Sequence, residues 1–288
     1  MHGERRGPAH PLSPGVTLAA TPLGNVGDAT DRLRDALADA DVIAAEDTRR
    51  ARTLAAALGV EIRGRVVSNY DHNEDGRAAD LVEAAKSGRK VLVVTDAGMP
   101  VVSDPGLGVV AAAHEAGVPV TCLPGPSAVT TALALSGLSV GRFAFDGFAP
   151  RKPGPRRRWL ESITDERRAI CFFESPHRLA QTLEDAAEVL GGRRRAAVVR
   201  ELTKLHEEVR RGTLDELAAW AAEGVRGEIT VVLDAAEQRA ADPADMVGEV
   251  EERVGEGERL KDACRAVAAA HGLTGHRELY QAVLDARG

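Results

Sequence analysis

The sequence predicts an α/β protein built as two α/β domains with a small helical extension behind them. Three observations carry this. Short apolar, β-branched runs alternate with segments whose apolar residues recur at helical spacing, as expected of parallel strands covered by helices. Several of those runs stop in loops of Gly, Pro, Asp and Ser, where open α/β sheets hold ligands. Beyond Asp234 only helical spacing remains.

The chain has 288 residues, ample for a sizeable core, with 44% hydrophobic and 28% charged residues. Its net charge of -7 argues against indiscriminate attraction to nucleic acid, so such a partner would need local basic patches. Cys122, Cys171 and Cys264 lie far apart without a CxxC, which suggests neither a zinc site nor a disulfide framework. Buried structural thiols in a reducing cytoplasm account for them better. The opening MHGERRGPAHPLSPG carries charge and proline but no apolar segment. It reads as a flexible tail rather than a signal peptide or anchor, and no run approaches transmembrane length.

Val16–Ala20 is the first expected strand, and it ends in Thr21-Pro22-Leu23-Gly24-Asn25-Val26-Gly27-Asp28. That loop matches neither GxGxxG nor the Walker pattern, so it reads as a ligand loop without phosphate specificity. Leu33, Ala36, Leu37 and Ala40 follow at helical spacing, with Asp28 or Thr30 as cap. Val42–Ala45 is the next strand. At its turn into a helix stands Glu46-Asp47-Thr48-Arg49-Arg50, which is either a cap with a solvated basic face or a seat for an anionic substrate. Arg65–Tyr70 forms a third strand, leading to a polar loop with His72, and a helix spans Arg77–Ser87.

The first domain is organised around Val91–Gly108, VLVVTDAGMPVVSDPGLG. Its run Val91–Val94 reads as a strand buried on both faces. The abrupt change to Asp96, Gly98, Pro100, Ser103, Asp104, Pro105 and Gly106 fits a ligand loop, or a tight strand-to-helix turn opening at Leu107. A helix near Leu107–Ala116 and a strand Val118–Leu123 follow. Then comes a second Gly/Pro break, Pro124-Gly125-Pro126-Ser127-Ala128, where Ser127 is placed to cap the helix Ala128–Ser136. Two such breaks at carboxyl strand ends are what a shared ligand crevice requires.

The domain boundary falls near Gly137–Gly141, giving a tail over 1–15, domains over 16–137 and 138–236, and a helical extension over 237–288. Arg142–Phe148 opens the second set. The basic segment Arg151-Lys152-Pro153-Gly154-Pro155-Arg156-Arg157-Arg158-Trp159 reads as a solvated loop or as an electrostatic footprint for phosphates. Ala169–Phe173 is a strand ending in Glu174-Ser175-Pro176-His177-Arg178 and followed by a helix. Ala196–Leu202 is another, running into the charged stretch Thr203–Arg211. A further helix and the closing strand Ile229–Asp234 complete the domain. After a polar linker, Ala235–Pro243, helices are expected over Glu258–Ala270 and Thr274–Ala286, with Leu260, Cys264, Val267, Leu279 and Val283 as apolar positions.

Taken together, TPLGNVGD, AEDTRR, DAGMPVVSDPG, PGPSAV, GFAPRK, FFESPHR, RELTKLHEEV and RGEITVVL resemble one family closely. It is the ribosomal RNA small subunit methyltransferase I family, the cytidine-2'-O-methyltransferases of 16S ribosomal RNA, which share the tetrapyrrole methylase fold. The resemblance spans Val16 to Asp234. It implies two α/β domains holding S-adenosylmethionine between them, a cytoplasmic homodimer, and the small ribosomal subunit as partner. By the same resemblance, cofactor contacts fall to Leu23, Asp96, Gly98, Met99, Ser103, Ser127 and Ala128 from the first domain. The second contributes Phe173, Leu202 and the Glu228–Thr230 strand start. The family's usual threonine is replaced by Met99, a change that spares backbone contacts but not a hydroxyl contact.

Methyl transfer from a sulfonium is an in-line displacement that needs no metal, so positioning the ribose oxygen should supply most of the catalysis. A base or a cation that lowers the hydroxyl pKa would help. Lys204 could do either, since burial lowers a lysine pKa, or it could simply bridge to Glu207 or Glu208. Glu46, Glu174, His177 and His206 are the other candidates. Arg49, Arg50, Arg151, Lys152, Arg156, Arg157 and Arg158 are the expected phosphate contacts. Methylation of a tetrapyrrole carbon is the same-fold alternative, and a non-catalytic ribosome-binding module the alternative of another class.

Overall fold

The computed structural model describes residues 11–69, 74–236, 243–271, 273 and 275–288. The start of the expected tail, His72 and its loop, most of the expected linker and Thr274 lie outside the described residues. Among those described, the strands form two five-stranded sheets.

The first sheet is parallel throughout, in the order β3-β2-β4-β1-β5. Its strands are β1 (Gly15–Ala19), β2 (Val42–Ala45), β3 (Arg65–Ser68), β4 (Lys90–Val94) and β5 (Val120–Leu123). Around them run α1 (Asp31–Asp39), α2 (Thr48–Ala57), α3 (Glu74–Lys86), α4 (Leu107–Glu115) and α5 (Ala128–Ser136). The apolar run of β4 is central and buried on both faces, as its composition requires. Val91 and Val93 join the core formed with α3 and α4, while Leu92 and Val94 join the core formed with α1 and α2. Thr30, rather than Asp28, caps α1 by accepting from the Leu33 N–H at 3.1 Å, and Asp47 caps α2.

In the second sheet the order is β6-β7-β10-β8-β9, with β6 (Phe143–Phe148) parallel to β7 (Ala169–Glu174). The pairs among β7, β10 (Ile229–Leu233), β8 (Arg195–Arg200) and β9 (Glu208–Thr213) are antiparallel. One face is covered by α6 (Pro153–Ser162), α7 (Leu179–Leu190) and α8 (Leu214–Ala222), around Phe172, Leu183 and Leu217. On the other face Val129, Ala132 and Leu133 of α5 pack against Cys171, Val199 and Val232. So α5 follows the first sheet in sequence but shares its core with the second.

In the second sheet's domain, α6 and β9 depart from the sequence reading. The basic segment is not a loop: Pro153 occupies the first position of α6, where its missing N–H costs nothing. The charged stretch after β8 turns back as β9, an edge strand whose Arg210 and Gly212 alternate with Val209 and Arg211 on the two faces.

The chain divides after Ala235 into two compact units. The second holds α9 (Val247–Gly255), α10 (Leu260–Ala270) and α11 (Arg277–Arg287), of which α9 was not expected. Its core is Val250, Cys264, Val267, Leu279 and Val283, while Leu260 is only partly buried. Among the described residues no helix is long and apolar enough to cross a membrane.

Candidate active site

The site begins where β1 and β4, neighbours in the parallel sheet, both run out. Thr21 and Gly98 close an antiparallel bridge there, with N–H to carbonyl distances of 2.9 and 3.0 Å. Gly98 is left-handed at φ +86°, a conformation that glycine takes without a Cβ penalty. The loop beyond it holds two residues that are not glycine in the same region, Val101 at +75° and Ser103 at +63°. Such backbone, particularly at a β-branched residue, costs on the order of 1–3 kcal/mol and clusters at ligand sites.

Asp96 is pinned from the neighbouring strand. Its N–H donates to Glu46 Oε2 at 3.1 Å, its Oδ1 accepts from the Asp47 N–H at 3.1 Å, and Oδ2 pairs with Arg50 at 3.3 Å. Burial raises the carboxyl pKa above its usual value, against the lowering effect of the Asp47 N–H and the Arg50 charge. Ser127 stands at the start of α5, but its side chain makes no capping bond. Its carbonyl accepts instead from the Thr131 N–H and hydroxyl.

Strand direction explains the contribution of the second sheet. Because β10 is antiparallel to both β7 and β8, its first residue Ile229 lies opposite Glu174 and Arg200, near the carboxyl ends of those strands. Phe173, Leu202 and Glu228–Thr230 are thereby gathered at one end. Together with the first-sheet loops they line a cavity of about 410 Å³, within the usual range for small-molecule sites.

All the residues matched to cofactor contacts meet on this cavity: Leu23, Asp96, Gly98, Met99, Ser103, Ser127, Ala128, Phe173, Leu202, Glu228 and Thr230. Glu46, Arg50 and Glu174 line it too. Val102, Phe148, Ser175 and Gly227, which sequence reasoning did not single out as contacts, also line it, as does Asp104 of the expected ligand loop. Each lies within a motif already singled out, so their neighbourhood was visible although their orientation was not.

The catalytic candidates separate clearly. Glu174 is 2% exposed and fully engaged: it accepts from the Thr182 hydroxyl and the Ser175 N–H at 2.7 Å and pairs with Arg178. Its carboxylate thereby anchors the turn after β7. Lys204 binds Glu201 at 2.9 Å and Glu228 at 3.0 Å, rather than Glu207 or Glu208. Burial disfavours its charge, but the two carboxylates outweigh that and raise its pKa above the ordinary lysine value. Lys204 is thus held between two carboxylates that favour its charged form. Beside it, Thr203 Oγ1 accepts from the Asn25 N–H at 3.1 Å, tying this loop to the one after β1. His177 and His206 are exposed, and neither is among the cavity-lining residues.

The basic candidates do not form one group. Arg156 is 3% exposed and joins Asp185 at 2.7 Å, so it braces α6 against α7 and cannot meet a phosphate. Arg157 pairs with Glu188, also at 2.7 Å. Arg49 is exposed but held to Asp47 at 2.8 Å. Arg50, Arg151, Lys152 and Arg158 are exposed, and Arg50 lines the cavity.

Residues 15–218 match the family model of the tetrapyrrole (corrin/porphyrin) methylases. The chain is 59% identical over 272 residues to ribosomal RNA small subunit methyltransferase I of Mycobacterium tuberculosis, covering 94% of this chain and 95% of the relative. Among solved structures, the methyltransferase CobJ superposes with a TM-score of 0.58 at 23% identity, over 79% of this chain and 96% of that one. Uroporphyrin-III C-methyltransferase from Thermus thermophilus, complexed with S-adenyl homocysteine, gives 0.54 at 20% identity, over 76% and 97%. These two likenesses are of fold.

Proposed function

The chain belongs to the ribosomal RNA small subunit methyltransferase I family of the tetrapyrrole methylases, and from that premise we propose that it methylates the ribose 2'-hydroxyl of a cytidine in the decoding region of 16S ribosomal RNA. The methyl donor is S-adenosylmethionine. The observation that carries the reading is the meeting of both sheets' loops on one cavity, with the Asp96 carboxylate beside apolar Leu23, Met99, Phe173 and Leu202. A donor that is at once cationic and part apolar suits such a lining.

When bound, the cofactor supplies an electrophilic methyl group. The protein's part is placement. The Gly98 bridge and the left-handed turns at Val101 and Ser103 set one wall, and the β10 start sets the other. Glu46 lines the cavity and accepts the Asp96 N–H, and in this reading it is the carboxylate that takes the ribose proton. Lys204, held cationic by Glu201 and Glu228, braces the second wall by fixing Glu228. Arg50, Arg151, Lys152 and Arg158 meet backbone phosphates, and the protein acts as a homodimer on the assembled small subunit in the cytoplasm.

Labelled methyl transfer to unmodified small subunits, protein-free ribosomal RNA and a tetrapyrrole precursor, read by nucleoside mass spectrometry, tests this. The expected product is a 2'-O-methylated cytidine formed mainly on the subunit. Label in the tetrapyrrole would overturn the substrate assignment, and cofactor binding without transfer would make the protein a binding module. Light scattering should give twice the chain mass.

A further inference from the structure

Phe148 is a large apolar side chain that the fold leaves 58% exposed at the rim of the cavity. Its position follows from an irregularity in β6. Residues three apart on a regular strand face opposite ways. Here Phe145 pairs with Cys171 and Phe148 with Phe173, three steps along β6 against two along β7. One extra residue is inserted, and Gly147 takes the left-handed conformation at φ +69° within that bulge. Phe148 is thereby returned to the face of Phe145.

Both rings then meet Phe173 edge to face, at centroid distances of 5.0 Å for Phe145 and 5.4 Å for Phe148. Phe145 and Phe173 pack against the core beneath α5. Phe148 stands beyond that core, with ring surface open to solvent. Three residues downstream begin the exposed Arg151 and Lys152.

An open aromatic face on a cavity that a cation, Arg50, also lines is the arrangement by which proteins hold unstacked nucleotides, since every base has a π-face and every linkage a phosphate. A ribose delivered to a cavity between two sheets has its base drawn from the neighbouring stack, and that base needs a new partner. The geometry points to Phe148 as the platform on which the base of the target nucleotide stacks, a base subsite that the β6 bulge creates. The inference rests on the RNA-methylating reading above.

The test compares wild type with Phe148→Leu, which keeps an apolar side chain without a π-face, and Phe148→Trp, which keeps one. Three quantities are measured: methyl transfer to small subunits with the nucleoside product identified, S-adenosylmethionine affinity by calorimetry, and melting temperature. Phe148→Leu should lower kcat/KM for subunits by roughly 5- to 150-fold, the worth of one base–aromatic stack, and leave cofactor affinity within about twofold. Phe148→Trp should recover most of the loss. Unchanged transfer in Phe148→Leu would overturn the inference, as would a tryptophan variant no better than leucine. A parallel loss of cofactor affinity would assign the ring to the cofactor instead. Wild-type enzyme that yields no 2'-O-methylcytidine would remove the functional reading itself, and the platform with it.

Discussion

Asp96 lines the cavity with a carboxyl that burial works against. Its carboxyl is pushed up in pKa mainly by burial, against the lowering effect of the Asp47 N–H and the Arg50 charge. A group whose folded pKa is raised binds its proton more tightly folded than unfolded, so its contribution to stability falls as pH rises from 3.8 through the raised value. Above that window the charge is a standing penalty. Asp96→Asn keeps an acceptor for the Asp47 N–H and removes the charge. The variant is expected to melt above wild type at neutral pH, with the gap closing on acidification, and to bind S-adenosylmethionine about tenfold or more weakly; paired melting and calorimetry across pH check both. Arg156 works the opposite way. Removing it leaves the buried Asp185 with only the longer contacts to Arg157 at 3.5 Å and Gln181 at 3.4 Å, so Arg156→Ala should cost about 3 kcal/mol in denaturant unfolding, while Arg151→Ala should stay within about 0.5 kcal/mol. The two arginines sit five positions apart in one basic run, and only burial tells them apart.

That difference shows what patterning of elements can and cannot reveal. Strands buried on both faces announce themselves, and β4, β7 and β10 lie close to where their apolar runs place them. The edge strand β9 does not, because its residues are mostly charged or half-exposed and carry no alternating apolar pattern to mark a strand. Pro153, Gly154 and Pro155 read as loop by propensity, yet a helix tolerates proline in its first turn. The cavity was legible as a set of loops at strand ends. Its far wall depended on β10 running antiparallel to its neighbours, which no local pattern specifies. The bulge in β6 is invisible in the same way, and it gives an element-scale prediction. A Cβ at Gly147 would meet Ser103 Oγ at an ordinary 3.4 Å, so the cost of Gly147→Ala is backbone strain rather than collision. It should be about 1–2 kcal/mol, a fall of roughly 2–8 °C in Tm by calorimetry.

At the scale of the molecule, an acidic protein must approach a polyanion through a small part of its surface. The net charge of -7 repels RNA at long range. The second compact unit has a core made of its own residues, from Met246 to Val283. A chain ending at Ala235 should therefore melt cooperatively and bind S-adenosylmethionine within about twofold of the full chain, by calorimetry. In the proposed reading, attraction to phosphates falls to Arg50, Arg151, Lys152 and Arg158, which are exposed. Each phosphate neutralised releases counterions, so the logarithm of kcat/KM for subunits should fall with the logarithm of salt concentration by about 0.7–0.9 per contact, or roughly three in all. Arg151→Ala combined with Lys152→Ala should reduce that slope by about 1.5 and leave cofactor affinity unchanged, because neither residue lines the cavity. A slope that stays the same in the double variant would place the RNA on another face, and the basic start of α6 would then be a solvated surface.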